Sequence, residues 1–130
     1  MKIGELSTRS GVPVRTIRFY EQERILAAPP RSSAGYRDYA ESEVDRLSWV
    51  ISAQRAGLKL AEIRSVLELR NEGQAPCSHT MGLLRGKQAD IELRIAELRA
   101  LRMEISTMIN RAEQLDPDDC RDALVCQVIG

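Results

Sequence analysis

Three cysteines are the residues of this 130-residue chain best suited to chemistry. Cys77 stands alone, whereas Cys120 and Cys126 lie close together in sequence. Thiolates bind soft metal ions, and accessible thiols with a lowered pKa are also oxidised or alkylated. An odd number of cysteines cannot all pair into disulfides within one chain. Metal binding, redox chemistry and the packing of small apolar side chains are therefore the three readings to compare.

A second group of candidate residues is cationic and aromatic, and it lies in residues 1–40. That segment contains seven Lys and Arg against four Asp and Glu, although the formal net charge of the whole chain is zero. Six of the seven cations are Arg, whose planar guanidinium matches phosphate and guanine edges. Two of the three tyrosines fall within GYRDY, residues 35–39. This asymmetry predicts an anion-binding module at the N-terminal end.

Other classes of function have little support in the sequence. The chain has one histidine, no recognisable catalytic triad or paired carboxylates, and no glycine-rich phosphate loop, which argues against an enzyme. No apolar run approaches the roughly 18 residues that a membrane span requires. The N-terminal residues lack the apolar core of a signal peptide, so we expect a cytoplasmic protein without a membrane partner.

The elements that position these residues begin with two short helices. Gly11 suits the turn that ends the first helix, and Pro13 suits the first turn of the second, which we expect to continue through Leu26. Two short helices joined by such a turn match the helix-turn-helix layout. Arg15 and Thr16 then lie near the N-terminal end of the second helix, the end that reaches base edges in the major groove.

A loop and a short extended piece follow the second helix. Residues 27–35, AAPPRSSAG, contain helix-breaking residues, and YRDY reads as an extended return. A loop that leaves a helix-turn-helix and returns extended is a wing. Tyr36 and Tyr39 are alternatively half-buried extended residues, and for Tyr39 packing on the next helix is as good an interpretation as contact with a ligand.

The rest of the chain is predicted to be helical. Helices are expected before Gly57 and again before Gly73, each with an apolar stripe at helical spacing. Residues 78–115 keep a seven-residue apolar repeat over about four heptads, which is typical of a coiled coil. One such helix cannot bury its own stripe, and the simplest partner is a second copy in a two-fold homodimer. The expected units are residues 1–73, 74–115 and 116–130.

Residues 3–69 closely resemble the MerR family of transcriptional regulators. The resemblance depends on TIRFYE, on the wing pattern Pro-Arg-x-x-x-Gly-Tyr-Arg-x-Tyr, and on RAGLKLAEI taken together. It implies a mainly α fold, with a winged helix-turn-helix followed by a long antiparallel coiled-coil dimerisation helix. It also implies a bacterial activator with promoter DNA and RNA polymerase as partners, and an effector site near the C-terminal end.

The resemblance assigns roles to individual residues. Arg15 and Thr16 become the candidates for base edges, and the wing and second helix supply the phosphate contacts. Arg contributes charge-assisted bonds to phosphate, and a tyrosine hydroxyl contributes a neutral donor. The predicted DNA-contact residues are Arg15, Thr16, Arg18, Tyr20, Tyr36 and Arg37.

In an antiparallel dimer of this kind, Cys77 of one subunit would meet Cys120 and Cys126 of the other. Three thiolates suit Hg, Cd, Pb or Zn as the effector. Family members that sense divalent metals resemble this chain in having cysteine where copper-type members have serine, and Cys77 fits that pattern. The loop departs from it, because residues 112–114 contain no cysteine and both loop cysteines follow Pro117. His79, two residues from Cys77, is expected to face solvent rather than bind metal.

The resulting hypothesis is a dimer that responds to a soft divalent metal by distorting promoter DNA, which activates transcription. The alternative keeps the DNA-binding regulator and replaces the metal by a thiol-reactive or oxidative signal. The redox branch of the family carries a four-cysteine cluster, and two loop cysteines are too few to match it.

Overall fold

The structure is a computed structural model that describes residues 1–116, 118 and 125–129. It contains five α-helices within those residues: α1 (Ile3–Ser10), α2 (Val14–Gln22), α3 (Ser42–Arg55), α4 (Leu60–Asn71) and α5 (Cys77–Glu113). The chain divides into two compact units, Met1–Lys87 and Gln88–Gly130. The predicted mainly α fold, with a helix-turn-helix and a long C-terminal helix, is confirmed.

The turn between α1 and α2 forms as the sequence predicts. Gly11 has φ 74°, and its N–H donates to the Ser7 carbonyl at 2.9 Å, which closes the last turn of α1. Pro13 immediately precedes the first residue of α2. Its fixed φ suits that place, and its missing N–H costs nothing at a helix start.

The predicted end of α2 is wrong by one turn. The helix ends at Gln22 rather than continuing to Leu26. Arg24 takes a left-handed conformation with φ 61°, and the N–H groups of Ile25 and Leu26 both donate to the Tyr20 carbonyl. This turn swings both side chains into the core, where each is 1% exposed. Their burial offsets the local cost of a non-glycine residue at positive φ.

The wing is shorter than a strand pair. Arg31 and Arg37 form an isolated antiparallel bridge, and the Ser32 N–H donates to the Tyr36 carbonyl at 2.7 Å. Gly35 has φ 88°, which lets the chain reverse. The Met1 amino group donates to the Tyr39 carbonyl, and the Tyr39 N–H donates back to the Met1 carbonyl, so residue 1 lies beside the end of the wing.

One hydrophobic core holds the first unit together. Its buried members come from α1 to α4 and from the turns between them, with Leu6, Ile17, Leu47, Val50 and Ile63 at 0% exposure. Gly57 and Gly73 follow α3 and α4 at positive φ, as their glycine signals predicted. The first turns of α5, through Leu83, add a partly buried side to this core.

The second unit contains the remaining part of α5. That helix has 37 residues in all and no buried residue. The apolar side chains that repeat by sevens, among them Ile91, Leu98 and Ile105, are exposed. No helix among the described residues is long and apolar enough to cross a membrane.

Candidate nucleic-acid interface and thiol site

α2 presents one face to the core and another to solvent. Ile17 is fully buried, and this fixes the rotation of the helix. Arg15 and Arg18 consequently point outward and are exposed, while Thr16 is half-buried. Three of the four residues predicted on this helix therefore retain surface for a ligand.

Tyr20 is the exception among the predicted contact residues. Its side chain is only 4% exposed, and its hydroxyl donates to Gln54 Oε1 at 2.8 Å. Burial raises the pKa of the phenol, which the hydrogen bond to Gln54 partly opposes. Because Tyr20 is three residues from Ile17, it shares the core face and ties α2 to α3. Tyr20 therefore belongs to the packing of the domain, and we leave it out of the proposed interface.

An open cavity of about 660 Å³ lies between α2 and the wing. Its lining is strongly cationic: it includes Lys2, Arg18, Arg31 and Arg37 beside Tyr36, against the single carboxylate of Glu21. Tyr36 is 41% exposed, and Lys2 Nζ lies 4.7 Å from the centre of its ring. Four cations around a phenol hydroxyl form a surface suited to phosphate.

A buried carboxylate joins α2 to the wing. The Glu21 side chain, 8% exposed, accepts from Arg37 Nη1 at 2.7 Å and from the Tyr39 hydroxyl. Burial, followed by the adjacent Glu21, raises the pKa of Tyr39 to about 12, so this phenol is neutral at physiological pH. Of the two interpretations of Tyr39, packing is the one that the structure shows. Arg37 keeps part of its guanidinium exposed while Glu21 fixes its position.

Sequence reasoning missed two cations and one aromatic residue at this surface. Lys2 and Arg31 line the cavity, and their membership of the basic N-terminal segment was the available signal. Phe19 is 43% exposed and lies one turn from Arg15 on α2. The spacing of four residues could have placed it there. An apolar ring at this place is suited to contact a thymine methyl group.

The thiols are exposed wherever the structure describes them. Cys77 is the first residue of α5, and both Cys77 and Cys126 are exposed. Cys120 lies outside the described residues. Within the described part of one chain, no group of three or more His, Cys, Asp or Glu side chains is arranged to hold a metal ion. The predicted trio of thiols stays a prediction, and its donor chemistry fits a soft ion.

His79 has a partner on a neighbouring helix. It is exposed, and its Nε2 lies 2.8 Å from Ser65 Oγ on α4. The side chain is therefore engaged close to Cys77 without belonging to a cluster of metal-binding groups.

Comparison with known proteins decides the family. The model described as MerR HTH family regulatory protein matches residues 1–69, and a second, described as MerR, DNA binding, matches residues 44–108. The chain belongs to the MerR family. It is therefore a DNA-binding transcriptional regulator and not an enzyme.

Individual members of the MerR family are similar over nearly the full chain. The HTH-type transcriptional regulator ZntR homolog of Haemophilus influenzae is 33% identical, covering 91% of this chain and 87% of that protein. The mercuric resistance operon regulatory protein of Bacillus cereus is 31% identical, covering 98% and 93%. The crystal structure of PbrR691 from Ralstonia metallidurans CH34 in complex with lead(II) aligns with a TM-score of 0.76 at 31% identity, covering 99% and 96%.

Proposed function

We propose that this chain is a homodimeric regulator that distorts promoter DNA and activates transcription when it binds a soft divalent metal ion. Residues 1–73 bind DNA, residues 74–115 form the dimer, and residues 116–130 complete the effector site. The observation that carries the proposal is the cationic cavity between α2 and the wing, on a helix-turn-helix that matches the MerR family. A cytoplasmic location, with RNA polymerase as a further partner, belongs to the same proposal.

The exposure of residues on α2 and the charge of the cavity support the proposed DNA contacts. Arg15 and Thr16 are placed on base edges, because they lie in the first turn of α2 and keep exposed surface. Arg18, Tyr36 and Arg37 are placed on phosphates, because they line the cationic cavity. Binding of this type weakens steeply with salt, since it releases counterions from the DNA.

The exposed apolar stripe of α5 supports the proposed dimer. Ile91 and Leu98 are each 58% exposed in one copy, although their seven-residue spacing puts them on one helix face. Burying a side chain of this size contributes about 1.5–3 kcal/mol. A second copy of the same helix would bury the stripe on both chains at once.

The donor chemistry of three cysteines and the ligands of similar proteins support the proposed metal site. Cys77, Cys120 and Cys126 supply three thiols, and such a set favours Hg, Cd, Pb or Zn over hard ions. PbrR691, a structural relative at 31% identity, was solved with lead(II), and a curated relative regulates a mercuric resistance operon. Binding activates the dimer only if one conformation of it holds the ion more tightly than the other. The DNA between the half-sites then responds through its deformability.

Metal titration of thiol variants tests this function. The native dimer is analysed by mass spectrometry with Hg(II), Cd(II), Pb(II) and Zn(II) in turn, and transcription from its promoter is measured alongside. We expect stoichiometric retention of at least one ion and a response that Cys77→Ser, Cys120→Ser and Cys126→Ser each reduce. If all three variants respond like the parent, the thiol site is wrong.

The exposure of Cys77 and Cys126 favours one alternative effector, a thiol-reactive or oxidative signal. The same mass spectra distinguish the two. Oxidation to a protein disulfide lowers the mass by two hydrogens, whereas a mixed disulfide with a small thiol raises it. Either change, reversed by dithiothreitol and without retained metal, indicates the oxidative signal. A metal adduct that a chelator removes supports the leading proposal.

A further inference from the structure

Helix α4 is linked by side chains to the first turns of α5. Ser65 Oγ lies 2.8 Å from His79 Nε2, and Glu62 Oε1 lies 2.7 Å from Lys87 Nζ. His79 and Lys87 are eight residues apart on α5, so two points along that helix are fixed to α4. Cys77, the thiol in this part of the chain, is two residues before His79.

A different side of α4 holds the end of α2. Nε and Nη2 of Arg64 donate to the Glu23 carbonyl at 2.8 and 2.5 Å, and Nη2 lies 3.5 Å from the Glu23 carboxylate. Glu23 directly follows α2, so its carbonyl lies at the C-terminal end of the helix, where positive charge is favourable. A planar guanidinium that donates twice to one oxygen fixes orientation as well as distance.

The two sets of side-chain links lie next to each other on α4. Arg64 and Ser65 are adjacent on α4, and their neighbours Ile63 and Val66 are buried in the core. Within residues 1–87, all of which the structure describes, every recorded side-chain hydrogen bond and ion pair of α5 goes to α4. A displacement of the first turns of α5 therefore moves α4 or breaks these contacts. A displacement of α4 likewise moves the end of α2 or breaks the hydrogen bonds of Arg64.

We propose that Arg64 is the positioning residue through which the effector state at Cys77 reaches the DNA-contacting helix α2. The inference rests on the proposed function and adds the route by which binding of metal changes the hold on DNA. An ion can shift the equilibrium only if the two states place α2 differently. The Arg64 fork links the C-terminal end of α2 to α4, and Ser65 and Glu62 link α4 to α5.

The test uses the full-length dimer and an operator duplex with 2-aminopurine in its central spacer. Parent and Arg64→Gln are titrated with Hg(II), Cd(II), Pb(II) and Zn(II) in turn. We expect Arg64→Gln to bind metal in the absence of DNA as the parent does. The metal-dependent change in 2-aminopurine fluorescence should be largely lost, and the factor by which metal changes operator affinity, typically about fivefold or more, should approach one.

Reciprocity gives a readout that a merely structural role would not move. If metal changes operator affinity by some factor, the operator must change metal affinity by the same factor. In Arg64→Gln both factors should move together toward one. Arg64→Lys keeps the charge without the fork and should restore part of the coupling. Arg55→Gln removes an equal charge from an exposed part of α3, where no ion pair is present among the described residues, and should behave as the parent.

A double variant tests whether the links act in series. Ser65→Ala removes the partner of His79, and alone it should also weaken the coupling. Combined with Arg64→Gln, it should add little, because both changes interrupt one route. Additive losses, or an Arg64→Gln protein with the coupling of the parent, would overturn the inference. A parent that responds to none of the four ions would instead contradict the proposed function, and the inference would fall with it.

Discussion

The first unit and the later part of α5 differ in how much of their apolar surface a single chain buries. In the first unit, Leu6, Ile17 and Ile63 are fully buried, and the Glu21 carboxylate is paired with the wing. Along α5, Leu98 and Ile105 remain 58% and 45% exposed despite their heptad spacing. A single chain therefore buries the core of the first unit, whereas it leaves the apolar stripe of the long helix exposed.

This difference separates recognition from response. The cationic cavity is assembled from residues of one chain, so recognition of a half-site is a property of each subunit in our proposal. In our proposal the metal site takes cysteines from both subunits, so the response to metal is a property of the dimer. Mutations in the two regions should accordingly have effects of different kinds.

The largest expected effect is from Leu98→Glu. This change places a carboxylate on the apolar stripe of both copies, where it loses the burial of leucine and adds an unpaired charge. We expect the dimer to dissociate at micromolar concentration. Light scattering should then give a mass near the 14.6 kDa of one chain, where the parent gives twice that value.

Met103→Glu is the matched control for Leu98→Glu. Met103 is also on α5 and is 70% exposed, but it lies five residues from Leu98 and off the stripe. This variant should remain dimeric. A monomeric parent, or equal dissociation of both variants, would contradict the dimer proposal and with it the contrast between the two regions.

The next largest effect is expected from Ile17→Ala in the hydrophobic core of the first unit. Removal of these buried methyl groups should lower the free energy of unfolding by about 2–5 kcal/mol. Urea denaturation, followed by the fluorescence of Trp49, measures the loss. Because one chain alone buries Ile17 fully, the loss should persist in the Leu98→Glu background. A loss that disappears in the monomer would show that the core depends on the partner.

Sequence patterns predicted most of the helical framework because glycine and apolar spacing carry strong local signals. Gly11, Gly57 and Gly73 each follow a helix at positive φ, as expected. The end of α2 was not predictable in this way, because Arg24 takes the left-handed conformation without a glycine. That turn is favoured by the burial of Ile25 and Leu26, which is a tertiary effect.

The sequence predicted which residue types form the candidate interface, but it predicted only partly which side chains face outward. Arg18, Tyr36 and Arg37 do line one cavity, as the wing hypothesis required. Tyr20 was assigned by resemblance, although its spacing of three from Ile17 places it on the core face. Lys2 was missed because only the folded chain brings the N-terminal residues beside the wing.

Loss of a phosphate contact should have an intermediate effect. Arg18→Ala should weaken binding to any DNA sequence and reduce the slope of affinity against salt by about one. Arg37→Ala should weaken it further, because the buried Glu21 carboxylate then faces phosphate without its partner. Fluorescence anisotropy over a range of salt concentrations measures both. Arg99→Ala on α5 is the control, and affinities unchanged from the parent at moderate salt would contradict the interface.

The smallest expected effect is a gain in stability from Glu43→Gln. Glu43 Oε2 is buried and accepts no hydrogen bond among the described residues. Burial is the main cause that raises the pKa of Glu43; Arg46 opposes it and Glu21 adds to it. The folded state therefore binds this proton more tightly than the unfolded state, whose pKa is near 4.5. The contribution of Glu43 to stability is complete below that pH, and it is lost as pH rises through the raised folded value.

Glutamine removes this cost at neutral pH, so Glu43→Gln should raise the free energy of unfolding by at most about 1 kcal/mol, since water still screens a part-exposed group. The gain should be present at pH 7 and absent near pH 4, as measured by urea denaturation at both values. Glu68→Gln, an exposed carboxylate on α4, should show neither effect. A gain that is equal at both pH values would show that packing around Glu43, and not its ionisation, limits the stability of the first unit.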